Sequence, residues 1–415
     1  MKNNPKVFFD YVKKQDDRDT KVGPFKIKDE YIYDAKKICN LLVNQYNSQF
    51  SDNKYVPEVN KEIFSNTQKE DLTDIEINEK DIIDAIGELN TNSAAGPDGI
   101  PAIFLKNTKH SIATPLTIMM RKSLDEGKIP DIFKLAYVTP IHKGGSKLKP
   151  EQYRPVSLTS HLMKIFERVI KRTLMIHLAQ QNLLNQGQHG FVPGRSTQTQ
   201  LLQHYCDVYE TLAEGVRMDT VYLDFAKAFD KVNHNILLQK LAKHNIKGKI
   251  GIWIQEFLNN RKYRVVANGE MSDIQDVLSG VPQGTVLAAV LFIIMIADID
   301  EKVRNSIVRS FADDTRISKK IKSDEDKDML QKDLEIIYEW ANDNLMSFND
   351  NKFEQMSNGE TKDIATKPYI TPSGNEIMMK NTIKDLGVTT SSNLLFREHI
   401  DNIVTASKNN VRSTL

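Results

Sequence analysis

Cysteine is nearly missing from this chain: Cys39 and Cys206 are the two present in 415 residues. They share no paired spacing, which excludes a disulfide framework and a thiolate zinc site. A reducing, intracellular setting, nucleus or cytoplasm, fits best. Charge of one sign is missing too. With 56 basic and 55 acidic residues, the total says nothing about nucleic acid. Long apolar runs are absent. The longest, Val286 to Ala297, has 12 residues, too short to span a bilayer and suited to a buried helix. The N-terminus lacks the basic-then-apolar pattern of a secretory signal, and no internal repeat is present. What remains is an ordinary globular composition, 40% apolar and 27% charged, long enough for two or three domains.

The distribution of charge says more than its sum. Arg121 to Arg195 holds 13 basic against 5 acidic residues, whereas Met1 to Asn90 holds 14 against 18. A local basic block is what binding to a phosphate backbone requires, although a solvated charged face accounts for such a block about as well.

Two short stretches carry the chemistry. Thr220-Val221-Tyr222-Leu223-Asp224 is an apolar strand ending on an acid, followed by Phe225-Ala226-Lys227-Ala228-Phe229-Asp230. Ile307 to Ala312 is a second apolar run, broken by Asp313-Asp314 and resumed at Thr315, which reads as a hairpin with carboxylates at its tip. An ionised carboxylate at the end of a buried strand costs several kcal/mol unless a cation compensates it. Two such runs 89 residues apart suggest one shared cation site. Carboxylate oxygens without His or Cys suit hard ions such as Mg²⁺, and a pair of them is the usual machinery for displacement at phosphorus.

Taken in order, residues 1 to 90 read as a polar helical extension, with Ile32, Ala35, Ile38, Leu41, Leu42 and Tyr46 at helical spacing. Ser51 to Thr73 reads as a linker, and Asn78 as a helix cap. Leu135 to Ile141 and Tyr153 to Leu158 are predicted strands whose ends carry Lys143 and Arg154. Both suit a polyphosphate, Arg through its fork and Lys as a point charge, and each alone would pass for a surface cation. His189 to Thr197 is a Gly/Pro loop opening a helix; its Arg195 suits a nucleic-acid backbone, and a plain helix cap accounts for the loop nearly as well. Asn268-Gly269 marks a hairpin turn. Ser279 to Thr285 is a turn before the apolar helix, where Gln283 and Gly284 would let backbone approach a nucleotide closely. Ser323 with Asp326 predicts a helix start, followed by a stripe of Leu330, Leu334, Ile337, Ala341 and Leu345. Lys352 follows in a loop, and two short strands and a final helical segment close the chain.

The ordered set AAGPDGIP, VTPIHKGG, YRPVSL, HGFVPGRST, LDFAKAFDKV, GVPQGTVL, FADD, NLMSFNDNK and LGV resembles the reverse transcriptase of non-LTR retrotransposons, the jockey-like branch of LINE-type elements. The likeness covers about 92 to 400. It implies an α+β right-hand polymerase with a ferredoxin-like palm: fingers at 91–215, palm at 216–350 with 260–290 returning towards the fingers, and palm end with a partial thumb at 351–415. It implies an RNA-directed DNA polymerase working on an RNA template, a DNA primer or target and deoxynucleoside triphosphates. Asp224, Asp313 and Asp314 would be the catalytic acids, with Asp224, Asp313 and the Phe225 backbone carbonyl binding two Mg²⁺ ions, or Mn²⁺ in their place. One ion would lower the pKa of the primer hydroxyl and the other would hold the triphosphate. Phe229 would lie under the sugar and reject a 2′-hydroxyl; on its own, a Phe there would be core. Lys143, Arg154, Gln283, Gly284 and Lys352 would serve the nucleotide, Lys352 at the pyrophosphate.

Two positions depart from the family pattern. Ala288-Ala289 stands where Gly-Pro is usual, and Ala297-Asp298 where Asn-Asp is frequent. With no nuclease constellation in 1–90 and a thumb-like segment stopping at Leu415, the chain reads as a piece of a larger element-encoded polyprotein. The competing expectation is a catalytically inactive, RNA-binding relic of such an element.

Overall fold

The computed structural model describes residues 21–50, 61–359 and 367–414. Helices and sheets are mixed, as expected of an α+β chain. The chain divides into two compact units, Met1–His177 with Phe229–Ala288, and Leu178–Ala228 with Ala289–Leu415.

The first unit is built on a five-stranded sheet. Strand β3 (Leu135–His142) pairs antiparallel with β4 (Tyr153–Leu158) and parallel with β6 (Lys262–Ala267), which continues into β7 (Glu270–Met271) and β8 (Gln275–Asp276). The helix Ala35–Asn47 starts where the Asp34 carboxylate accepts the Lys37 N–H, which satisfies one orphan donor of the first turn. Its buried stripe of Ile38, Cys39, Leu42, Val43 and Tyr46 joins Val138, Tyr263 and Val265 in one apolar core. Ahead of it the chain forms a strand hairpin instead of a helix, β1 (Phe25–Ile27) with β2 (Glu30–Ile32). Phe25 is buried there while its neighbours are exposed, and Lys28 takes a left-handed φ of 54° that ends the strand. The expected linker also differs. Residues 51–60 lie outside the described residues, but Phe64 is fully buried and Leu72 bridges to Ile246. Residues 61–73 are therefore an anchor. Asn78 caps Glu79–Gly87 as predicted, in a capping box with Asp81.

The second unit centres on β5 (Arg217–Leu223), buried along nearly all its length. Its neighbours are β10 (Asp314–Ile321) and β11 (Glu354–Asn358), with β9 (Ile307–Phe311) and β12 (Met378–Met379) at the edges. The second half of β5, residues 220–223, lies buried in the middle of the sheet and so reads as an apolar run, while in its first half the buried charges of Arg217 and Asp219 pair at 2.9 Å. The Asp324–Asp343 helix packs on β10 through Leu330, Leu334, Ile337 and Ala341. Leu345 leaves the expected stripe: it lies past the helix end, exposed, with φ 54°. Ser323 takes the cap position without a side-chain capping bond, and Asp326 accepts the Lys322 N–H at 2.9 Å. The apolar run forms the buried helix Ala288–Ile296. The late strands β13 (Thr382–Asp385) and β14 (Val388–Ser391) form a hairpin. It is tied down by Tyr205 to Thr390 (2.6 Å), by Asn358 to the Ser392 carbonyl (2.9 Å) and by a buried ion pair of Arg316 with Asp385. The chain closes on the helix Arg397–Thr414.

Candidate active site

The acids meet at one end of the second unit's sheet. Strands β5 and β10 are registered with Thr315 opposite Leu223, so the next step along would bring Asp314 opposite Asp224. Asp224 ends its strand at a tie to the 347–349 segment. Its carbonyl accepts the Asn349 N–H and the Ala226 N–H donates to the Ser347 carbonyl, both at 2.8 Å. Those bonds leave out the Phe225 carbonyl itself, whose residue stacks on Phe348 with ring centroids 4.4 Å apart. That tie brings the following turn close, and Lys352 Nζ lies 2.8 Å from Asp224 Oδ2. An ammonium thus stands against this carboxylate in the way a metal ion would.

The electrostatics show that the three acids share one field. Desolvation, then the charge of Asp224, raises the Asp313 carboxyl above its ordinary range. Asp314 is pushed up to about 6 by desolvation and by the charges of Asp313 and Asp224. Among the described residues no three His, Cys, Asp or Glu side chains form a ready-made metal cage. The donors are nonetheless of the right kind: hard carboxylate oxygens, mutually repelling, with a lysine as counter-charge. A polar cavity beside them is lined by Asp224, Asp314, Arg316, Lys352, Glu354 and Asp385.

The tip itself is a two-residue turn, Ala312-Asp313, with Asp314 paired to Phe311. Ala312 has φ 56°. A left-handed alanine costs about 1–2 kcal/mol, and hairpins of this kind usually put glycine there. The Gln188 side chain holds it: Oε1 accepts the Ala312 N–H at 2.9 Å and the Gly190 N–H at 2.7 Å. Arg195, expected at a nucleic-acid backbone, is engaged within its own loop. Its guanidinium donates to the carbonyls of Gln186 (2.7 Å), Asn185 (3.3 Å) and Gln188.

The first unit gathers the other predicted residues. Ile141 faces Arg154 in the β3–β4 register, and Lys143 follows one residue past the end of β3. Both cations are exposed, and among the described residues neither side chain has a partner. The 279–284 loop is bonded on two sides. The Gln283 carbonyl accepts the Ser157 N–H at 2.9 Å, and Val281 N–H donates to the Phe229 carbonyl at 2.8 Å. A Cβ on Gly284 would sit 2.6 Å from the Ser157 carbonyl, so this position admits glycine alone without a shift. Phe229, Gln283, Gly284 and the Arg154 strand are therefore joined through backbone. The Gln283 amide also leans on the Asp230 carboxylate at 3.3–3.4 Å. Sequence reading assigned no role to Asp230, which lies inside LDFAKAFDKV, or to Gln188, which directly precedes HGFVPGRST.

This chain is similar to a known family and to known proteins. The family described as "Reverse transcriptase (RNA-dependent DNA polymerase)" matches residues 141–390. The RNA-directed DNA polymerase from mobile element jockey of Drosophila melanogaster is 27% identical over 343 residues, 80% of this chain and 37% of the relative. The probable RNA-directed DNA polymerase from transposon X-element of the same organism is 26% identical over 331 residues, 78% and 36%. Among solved structures, apo telomerase from Candida tropicalis, truncated from its C-terminal domain, aligns with a TM-score of 0.45 at 11% identity, covering 69% of this chain and 59% of that one. The chain spans a little over a third of the length of the jockey and X-element relatives.

Proposed function

The chain belongs to the reverse transcriptase (RNA-dependent DNA polymerase) family, and on that premise we propose that it adds deoxynucleotides to a primer 3′-hydroxyl on an RNA template, as the polymerase of a non-LTR retrotransposon. The observation that carries this is the shared field of Asp224, Asp313 and Asp314, with a lysine ammonium as their counter-charge. Asp224, Asp313 and the Phe225 carbonyl would hold Mg²⁺, or Mn²⁺ in its place. Such an ion lowers the pKa of an attacking hydroxyl and offsets charge that develops on phosphate in the transition state.

The remaining work falls to the chain's own groups. Lys352, whose ammonium lies 2.8 Å from the Asp224 carboxylate, would serve the leaving pyrophosphate. Lys143 and Arg154, exposed and without a side-chain partner among the described residues, grip the triphosphate. Phe229 sets the floor under the sugar and disfavours a 2′-hydroxyl. The backbone at Gln283-Gly284 lies against base or template, steadied by Asp230. The lack, among the described residues, of any helix long and apolar enough to cross a membrane is consistent with this use. A larger element-encoded polyprotein and a nuclear or cytoplasmic site of action complete the reading.

The test is primer extension on an RNA template with Mg²⁺ and deoxynucleotides, parent against Asp313→Asn. Extension by the parent that the variant lacks supports the proposal. A folded parent that binds RNA without extending the primer would be an RNA-binding relic instead.

A further inference from the structure

We propose that Gln188 is a positioning residue for the Asp313-Asp314 carboxylates: its side-chain amide imposes the Ala312-Asp313 turn and so sets how the acids meet a cation. The inference rests on the polymerase reading and adds to it a residue outside the catalytic acids.

Gln188 is 2% exposed, so its polar atoms answer to the protein and not to water. Besides the two amides taken by Oε1, its Nε2 lies 3.5 Å from the Ala312 carbonyl. A side chain that addresses both the N–H and the C=O of one residue fixes the peptide planes on either side of it. The left-handed alanine thereby becomes the conformation with all its bonds made; relaxing it would leave a buried amide unpaired.

The segment carrying Gln188 is itself placed by strand pairing. The Gly187 carbonyl accepts the Ser310 N–H at 2.9 Å, and the His189 N–H donates to the Ser310 carbonyl at 2.8 Å. Two glycines permit so close an approach. A Cβ at Gly190 would fall 2.3 Å from the Ala312 nitrogen, and one at Gly187 would fall 2.3 Å from the Val308 carbonyl oxygen. Arg195 braces the far side of the same segment through its carbonyls. The bracket therefore runs from Arg195 through residues 186–190 to the turn that carries the acids, all within one unit of the chain. Packing alone would be met by any buried side chain of this size. Three polar contacts, two on Ala312 of the turn and one on Gly190 of the loop beside it, are not explained by packing.

Gln188→Met keeps the length and removes both polar ends. Two measurements are made on the full chain: amide exchange across 309–315, and Mn²⁺ affinity by electron paramagnetic resonance, with Asp313→Asn as the control for acid-dependent binding. Faster exchange at Ala312 is expected, with Mn²⁺ affinity reduced about tenfold. The Mg²⁺ needed for half-maximal extension should rise in step while the deoxynucleotide KM stays put. Adding Ala312→Gly to Gln188→Met should restore most of the affinity, because glycine holds this conformation unaided. Unchanged exchange would overturn the proposal, as would a loss of affinity that glycine does not repair. The exchange measurement does not need turnover, so an inactive parent would sink the polymerase reading while leaving the role of Gln188 to be decided.

Discussion

Two hairpins in this chain reverse direction in two residues and reach that geometry by opposite means. Between β6 and β7 the turn is Asn268-Gly269, with φ of 53° and 82°. Asparagine and glycine enter the left-handed region with little penalty, so the turn is written into its own residues. Between β9 and β10 the turn is Ala312-Asp313, with φ 56° on an alanine. Nothing in that pair favours the conformation, and it is held from outside by Gln188. The first turn also reaches out, its Asn268 side chain holding the Val22 N–H (3.0 Å) and carbonyl (2.8 Å). The second carries two carboxylates, and a turn fixed by a remote side chain can hold a direction that its own residues would not choose.

The comparison can be broken most severely at the acid itself. Asp313→Asn should cut primer extension by about 10²–10³-fold or more, since it removes a proposed ligand of the ion that would offset charge in the transition state. Asn268→Ala should leave extension unchanged in the same assay. The next test is one exchange made in opposite directions. Gly269→Ala should destabilise the chain by about 1 kcal/mol, although nothing lies within 4 Å of the added methyl, because the left-handed φ is strained for alanine. Ala312→Gly should be neutral or stabilising by up to about 1 kcal/mol. Denaturant midpoints decide both, and equal signs would refute the contrast. Lys352→Met should raise Mn²⁺ affinity by a few-fold, in keeping with an exposed pair worth about 1 kcal/mol or less, while slowing extension.

The smallest effect is in pH. Because the Asp314 carboxyl is pushed up to about 6 in the fold, the folded chain holds that proton more firmly than the unfolded one. Its contribution favours folding in acid and is lost as pH rises through about 6. Without metal, the parent's melting temperature should fall between about pH 5 and pH 7 by more than that of Asp314→Asn. Mg²⁺ should recover more of it above that range than below. A parent and variant with parallel profiles would show that the acids do not share a field.

How far the fold could be read depended on whether its causes were local. Alternation and turn residues placed β3, β4, β6, β9 and β10, and the apolar run placed its helix, because each rests on neighbours in sequence. The three acids, Phe229 and the 279–284 loop were legible as motifs. The β1–β2 hairpin was not, since it depends on Phe25 finding a core supplied largely by later strands. Phe64 looked like linker because its burial comes from a helix more than 180 residues on, where Gly251 leaves room for its ring. Gln188 and the inward engagement of Arg195 were illegible for the same reason: a polar side chain in a Gly-rich loop gives no sign of which distant amide it will answer.

The ion pair of Arg316 with Asp385 also works as a key for strand alignment. Arg316 stands two residues beyond Asp314 on β10, opposite Tyr222 of β5. Sliding β10 by a single residue would turn its guanidinium to the other face and strand a charge in the interior, a penalty of several kcal/mol. The hairpin that supplies Asp385 thus guards the alignment that sets Asp314 against Asp224, from the far end of the sequence.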